Sequence, residues 1–261
     1  MSSTAQAHMS IRERARTANY ASQALDAIIQ IHSAAPPPAL LDRLVKATAT
    51  LGASASLYTA AIPEGGHEHS CFSIFACHPA YAQAHNNLGP LLTHPWFRFA
   101  RTHTTSGSDR QVRIEKAADA VAIELARQYG FRSCFIVPTP AGIDLDRLEM
   151  LCVGSDAVDD FDGAEARVVR TLARSLAAEL HDWLARYLQQ RLRASTQLDS
   201  ADVDLLALER RGLGTKEISA MTGLSEGSVN SRFQRINTRL NCSNRKASAL
   251  RAAAHGLLES V

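Results

Sequence analysis

Apolar positions recur with two periods along this chain, and the change from one period to the other divides it into elements. From Ile11 to His32 the spacing is helical, with Leu25, Ile28, Ile29 and His32 placed on one side, and the run stops at Pro36-Pro37-Pro38. A second helix is predicted from Ala39 to Leu51, closed by Gly52. The period then falls to two. Ala53 to Ile62 and His67 to Ala76 alternate as strands around Pro63-Glu64-Gly65-Gly66, whose turn chemistry predicts a hairpin.

A helical stretch from Tyr81 to Asn86 precedes a region read as loop through Thr93-His94-Pro95-Trp96-Phe97. An amphipathic helix (Ala117 to Tyr129), strands at Cys134 to Pro138 and Leu148 to Gly154, and a long helix (Asp162 to Arg193) complete this part. Helices flanking an antiparallel sheet predict an α+β fold, with an α/β/α sandwich at the front. The long helix carries Val169, Leu172, Leu176, Leu180, Trp183 and Tyr187 at spacings of three and four. Its first half is expected to pack on the sheet, and its far end, Trp183 to Leu192, to form a dimer seam. Ser195-Thr196-Gln197 reads as a short polar linker.

Beyond the linker two short helices are predicted, with Thr215 and Ser225 as their caps and Gly223 supplying the positive φ of the turn between them. On the second helix, which begins at Glu226, Val229, Phe233, Ile236 and Leu240 form one apolar stripe, while Asn230, Arg232, Arg235 and Arg239 occupy the other face. From Ser228 to Leu258 the cations are Arg232, Arg235, Arg239, Arg245, Lys246 and Arg251, and there is no Asp or Glu, in a chain whose overall charge is only +2. One-sided charge on a short helix after a tight turn suits the phosphate-lined major groove.

Composition narrows the class. The 261 residues are 46% hydrophobic and 21% charged, enough for two globular domains and unlike a disordered chain. Five cysteines without a C-x-x-C pair give no disulfide framework, and no run approaches the length of a membrane span, so a cytoplasmic protein is expected, nucleoid-associated when on DNA. The chain has no glycine-rich phosphate loop, no G-x-S-x-G and no H-E-x-x-H, so no catalytic residue and no cofactor is assigned and the expectation is a non-enzyme. The first sixty residues hold only Glu13, Asp26 and Asp42 as acids, which argues against a phosphoacceptor receiver domain.

Leu198, Asp202, Leu206, Gly212, Glu217-Ile218, Ser225, Ser228-Val229, Arg239-Leu240 and Arg245 fall in ungapped register with the pattern of the LuxR family of bacterial transcription regulators, which the last sixty or so residues resemble. The departures include Asp199 for Thr, Asp202 for Glu, Ser219 for Ala, Thr222 for Leu, and Arg232 where many members have His. The resemblance implies an all-α four-helix domain with a helix-turn-helix, acting as a homodimer on palindromic duplex DNA, with RNA polymerase as a further partner. Ser228, Asn230, Ser231 and Arg232 are then expected at base edges, and Lys216, Arg235, Arg239 and Arg245 at phosphates. The layout divides into an extension (1–24), a sensor domain (25–194), a linker (195–197) and the DNA-binding domain (198–261).

The front part resembles, more distantly, the ligand-binding domain of the subgroup that senses acyl-homoserine lactones. That subgroup's W-x-x-x-Y, followed nine residues later by D-P, can be laid on Tyr81, His85 and His94-Pro95, where only the proline is identical. Cys77 stands where a pocket Tyr is usual, Cys134 where a Gly is, and no Trp lies near Ser108. The resemblance implies a pocket lined by Cys77, Tyr81, His85, His94, Trp96, Phe97 and Cys134. In the family the Asp accepts from the ligand amide N–H, while the Trp and Tyr bind its carbonyls. With His94 in place of that Asp, the domain is expected to keep the fold but not to bind common acyl-homoserine lactones tightly, and to take another small molecule or none. The alternative is a lactone receptor with an unusual pocket in which His94 does the polar work. A third reading, a metal- or redox-responsive regulator, comes from His67, His69 and Cys71 alternating on one strand face near Cys77-His78.

Overall fold

The computed structural model describes residues 10–34, 37–65, 68–140 and 147–258. They build strands β1 (Ala55–Pro63), β2 (His69–Ala76), β3 (Gly107–Ser108), β4 (Ser133–Pro140) and β5 (Leu148–Ser155), joined as one antiparallel sheet in the order β2-β1-β5-β4-β3. The helices are α1 (Ile11–Arg14), α2 (Tyr20–Ile29), α3 (Pro37–Leu51), α4 (Pro79–Asn86), α5 (Pro95–Thr102), α6 (Ala117–Arg127), α7 (Arg167–Thr196), α8 (Ser200–Arg210), α9 (Thr215–Thr222), α10 (Glu226–Arg239) and α11 (Arg245–Ala254). The chain forms two compact units. The first is Met1–Ala60, Ser73–Pro140 and Leu148–Trp183; the second is Ala61–Phe72, Ala141–Arg147 and Leu184–Val261.

In the first unit the central strands are buried without alternation. Every position of β1 is buried, as are Cys134 to Pro138 on β4 and Glu149 to Ser155 on β5. A strand buried on both faces is covered from both sides, so the sheet is the middle layer of a sandwich, as expected. β4 and β5 pair with Cys134 opposite Gly154 and Ile136 opposite Cys152. Gly154 is required by close approach: a Cβ there would stand 2.4 Å from both the Gly130 carbonyl oxygen and the Phe131 ring. Gly130 itself has φ of 96°, a conformation that favours glycine.

The continuous helix expected from Ile11 to His32 is broken, because Asn19 adopts φ of 66° before Tyr20 starts α2. Its buried face also differs from the expected one. Tyr20, Ala24, Ala27 and Ile28 point inward, with Ile31 following in a 3-10 turn, while Leu25, Ile29 and His32 face outward. Small residues sit inside because α2 packs closely on α3. The region expected to be loop around Trp96 is the start of α5. Pro95 stands at its first position, where the missing N–H costs nothing, and His94 caps it, Nδ1 accepting from the Trp96 amide at 3.3 Å.

In the second unit Leu192 from the end of α7 packs with Leu205, Leu206, Ile218, Val229, Phe233, Ile236, Leu240, Ala249, Ala252 and Leu257. Two expectations change here. α7 runs on to Thr196, whose hydroxyl donates to the Leu192 carbonyl at 2.7 Å, so most of the predicted linker is helical. The stripe proposed as a dimer seam is covered within the chain: Trp183 is buried, its Nε1 donating to the Ala34 carbonyl at 2.7 Å, and Leu184, Leu188 and Leu192 are buried as well. Apolar periodicity alone does not distinguish a seam between chains from one within a chain.

Candidate ligand pocket and nucleic-acid interface

In the first unit α4 and α5 each start with a His-Pro pair, and these two starts set the geometry of the pocket region. His78 caps α4 through Nδ1 as His94 caps α5, which fixes the register of Tyr81 and His85 on α4 and of Trp96 on α5. Their rings meet in a closed circuit. Ring centroids lie 5.6 Å apart for Tyr81 and His85, 5.1 Å for His85 and His94, 5.2 Å for His94 and Trp96, 5.3 Å for Trp96 and Phe131, and 5.4 Å for Phe131 and Tyr81. Phe75 and Tyr129 add contacts to Tyr81 from outside the circuit.

Four of these side chains carry polar atoms, and all four are buried: Tyr81 is 0% exposed, Trp96 1%, His94 6% and His85 7%. Among the described residues, Tyr81 Oη, His85 Nε2, His94 Nε2 and Trp96 Nε1 have no hydrogen-bond partner. An unpaired buried polar atom costs about 1 to 3 kcal/mol, and these four belong to rings of one circuit. Beside His85 and His94, but lined by neither Tyr81 nor Trp96, is a cavity of about 170 Å³ whose walls also include Leu88, Leu91, Lys116, Asp119 and Ala122.

The four polar aromatic side chains of the circuit are uncharged near neutrality. Burial, then the neighbouring His85, pushes the His94 imidazole down to about 3, and burial lowers His85 as well. Burial raises the Tyr81 phenol and the Cys134 thiol, so both keep their protons near neutrality. The nearest carboxylate, Asp119, is engaged. It takes Nη1 and Nη2 of Arg98 at 3.0 and 2.6 Å and the amides of Glu115 and Lys116, and the Arg98 hydrogen bonds chiefly hold it far below the usual carboxylate range.

The expected pocket residues therefore separate. Tyr81, His85, His94 and Trp96 come together. Cys134 is buried on β4, its thiol raised by burial and then by the neighbouring Cys152. Cys77 is half-buried, its thiol pushed up to about 11 by burial and directed at the His78 carbonyl. Phe97 is buried but lies outside the circuit, since adjacent helical positions point about 100° apart. Phe131, Phe75 and Tyr129 were not anticipated. Phe75 was within reach, because the period of two that aligns His69 and Cys71 also puts Phe75 on their face. Of the residues behind the metal reading, His67 lies outside the described residues, while His69 and Cys71 are exposed on β2. Among the described residues no three His, Cys, Asp or Glu side chains gather as a metal ion would require.

In the second unit α9 and α10 form a helix-turn-helix. Gly223 closes α9 at φ of 72°, its amide donating to the Ser219 carbonyl at 3.0 Å, and Ser225 caps α10 by accepting from the Ser228 amide at 3.1 Å. Thr215 is the first residue of α9 rather than its cap; Glu217 takes the Gly214 amide at 2.6 Å in that role. The Ser219 hydroxyl ties the turn by donating to the Leu224 carbonyl, and Thr222 is exposed, its hydroxyl spent on the Ile218 carbonyl, so it displaces no core residue.

The apolar stripe of α10 is buried as expected, and Ser228, Asn230, Ser231 and Arg235 on α10 are exposed, as is Lys216 on α9. The other arginines are engaged. Arg232 pairs with Asp199 at 3.2 Å and Asp202 at 3.6 Å, Arg239 with Asp202 at 3.0 Å, and Arg245 with Glu209 at 2.9 Å, its guanidinium 5.7 Å from the Phe233 ring centroid. Asp202, 4% exposed, thus sits between two guanidinium groups.

The fold is that of SdiA. A structure of SdiA in complex with octanoyl-rac-glycerol superposes with a TM-score of 0.67 at 13% identity, covering 93% of this chain and 98% of that one. A crystal structure of Escherichia coli SdiA gives 0.68 at 14% identity, covering 91% and 98%. CepR2 from Burkholderia cenocepacia, described as an N-acylhomoserine lactone-dependent LuxR-family transcription factor, gives 0.52 at 16% identity, covering 66% and 98%. No protein-family model and no curated protein matches the sequence.

Proposed function

We propose that this protein is a sequence-specific, double-stranded-DNA-binding transcription regulator of the LuxR quorum-sensing type, whose front unit senses a small molecule other than a common acyl-homoserine lactone. The observation that supports this best is the helix-turn-helix of α9 and α10, with a capped, exposed helix start flanked by unpaired cations, on a fold shared with SdiA along nearly the whole chain. No described helix is long and apolar enough to cross a membrane. Action is by binding rather than catalysis, on half-sites about one helical turn apart bound by a homodimer.

In this reading Ser228, Asn230 and Ser231 face base edges, and Lys216 and Arg235, which have no ion-pair partner among the described residues, meet phosphates. Arg232 and Arg239 hold α10 against α8 through Asp202, and Arg232 reaches a guanine only by leaving that carboxylate. The test is fluorescence anisotropy on a duplex selected from a random pool, and on its point variants, at two salt concentrations. Asn230→Ala is expected to cost about 1 to 3 kcal/mol at one base pair, whereas Arg235→Ala weakens all sequences alike and lowers the salt slope by about one. A full-length chain without salt-dependent affinity for any duplex would refute the proposal.

A further inference from the structure

The side of α10 turned away from its buried stripe carries two carboxamides one helical turn apart, Asn230 and Gln234. Both are exposed, and neither side chain is held by another described residue. The cations of α10 differ. Arg232 and Arg239 are turned to Asp202 on α8, which leaves Arg235 as the guanidinium of this helix without an ion pair among the described residues. Thr238, one turn beyond Gln234, is engaged as well, its hydroxyl donating to the Gln234 carbonyl at 3.0 Å. At the start of the same side stands Gly227, where an added Cβ would meet only Ser225 Oγ, at 3.9 Å. A glycine inside a helix costs about 1 kcal/mol relative to Ala, and no described neighbour requires one here; it keeps the first turn bare for close approach of another backbone.

A carboxamide and a guanidinium read different bases. Asn and Gln present a donor and an acceptor side by side, which match N7 and the N6 amino group of adenine, whereas the Arg fork presents donors alone, which match O6 and N7 of guanine. Resting on the regulator reading above, we propose that Asn230 and Gln234 each read an adenine in the major groove, so that the half-site holds A·T pairs where a face led by Arg232 would select guanine. Positions four apart on a helix are separated by about 6 Å along the axis, against about 3.4 Å for each base-pair step, which places the two adenines about two steps apart. The engagement of Arg232 with Asp199 and Asp202 is what gives the carboxamides this role, because it withdraws the competing fork from the groove.

The test starts from a duplex that the full-length protein selects from a random pool. Each adenine of that duplex is replaced in turn by purine, which lacks the 6-amino group, or by 7-deazaadenine, which lacks the N7 acceptor, and affinity is read by fluorescence anisotropy. Two adenines in each half-site are expected at which either replacement lowers affinity about tenfold. In Asn230→Ala one of them becomes indifferent to replacement, and in Gln234→Ala the other does, while the remaining positions keep their effects. Both side chains are exposed, so the circular dichroism of the variants is expected to match the parent. Replacement effects that persist in both variants, discrimination confined to G·C pairs, or a loss of affinity in the variants that is uniform across all sequences would each overturn the proposal. Salt-dependent affinity for duplex DNA without these base effects overturns this proposal alone, whereas no affinity for any duplex overturns the regulator reading together with it.

Discussion

Acid should destabilise the first unit through His94, by an amount that follows from the structure. The folded chain holds this imidazole unprotonated down to about 3, against an ordinary value of 6.5, chiefly because burial removes it from water. Once unfolded, it takes up a proton near its ordinary value. Its contribution to stability is therefore whole above pH 6.5 and is lost as pH falls from there toward 3. At about pH 5 the unfolded state gains about 2 kcal/mol from protonating this one group, and that figure barely depends on where below 4 the folded value lies. His94→Asn removes the titrating ring but keeps an oxygen to cap α5. Both tryptophans, Trp96 and Trp183, belong to the first unit, so urea unfolding followed by their fluorescence reports that unit. Between about pH 7.5 and pH 5 the parent should lose about 2 kcal/mol more stability than the variant. Equal losses would show that His94 is solvated or charged in the folded chain.

Three further outcomes are expected. Gly154→Ala should destabilise the first unit by about 1 to 3 kcal/mol in the same urea assay, because the new methyl meets backbone at Gly130 and the Phe131 ring. Gly223→Ala should cost about 1 kcal/mol in thermal unfolding followed by circular dichroism, from positive φ alone, since no atom lies within 4 Å of the added carbon. Asp202→Asn should destabilise the second unit by about 2 kcal/mol by the same measurement, the partly exposed side chains of Arg232 and Arg239 being partly compensated by water; no change would mean that the two ion pairs add nothing.

Most of the elements were legible because local chemistry and periodicity agreed. The hairpin, the amphipathic α6, the strands β4 and β5 and the stripe Val229, Phe233, Ile236 and Leu240 each follow from spacing plus a turn or cap residue. Misreadings arose where the tertiary environment decided. α5 was missed because a His cap is not among the usual capping residues, although the Pro at its first position was visible. The face of α2 was misassigned because close packing on α3 selects Ala24 and Ala27 for the interior and leaves Leu25 and Ile29 outside. In the pocket region Tyr81, His85, His94 and Trp96 follow from the resemblance to the lactone-sensing subgroup, and their rings lie together in the structure. Phe131 closes the circuit from the far side of Gly130, a position that no local period connects to α4 or α5.

The charge of the second unit shows why a count along the sequence overstates an electrostatic surface. The six cations from Ser228 to Leu258 have no acid among them in sequence, yet the fold supplies acids from elsewhere. Asp199 and Asp202 come to Arg232 and Arg239, Glu209 to Arg245, and Glu64, from the end of β1, to Arg251 at 2.7 Å. Burial alone would raise Glu64, but hydrogen bonds from His255 and Ser70 and the charges of His255 and Arg251 bring it down to about 2, so this carboxylate stays ionised at any physiological pH. Four of the six cations are thus partnered within the protein, and a phosphate must compete with a carboxylate for each. Under the proposed function, Arg235, Lys246 and Lys216, unpaired among the described residues, would give a general attraction to duplex DNA, and sequence choice would fall to the uncharged Ser228, Asn230 and Ser231. Arg232 and Arg239 hold α10 on α8 through Asp202, and in that proposal this seating sets the angle at which those three side chains would meet the groove.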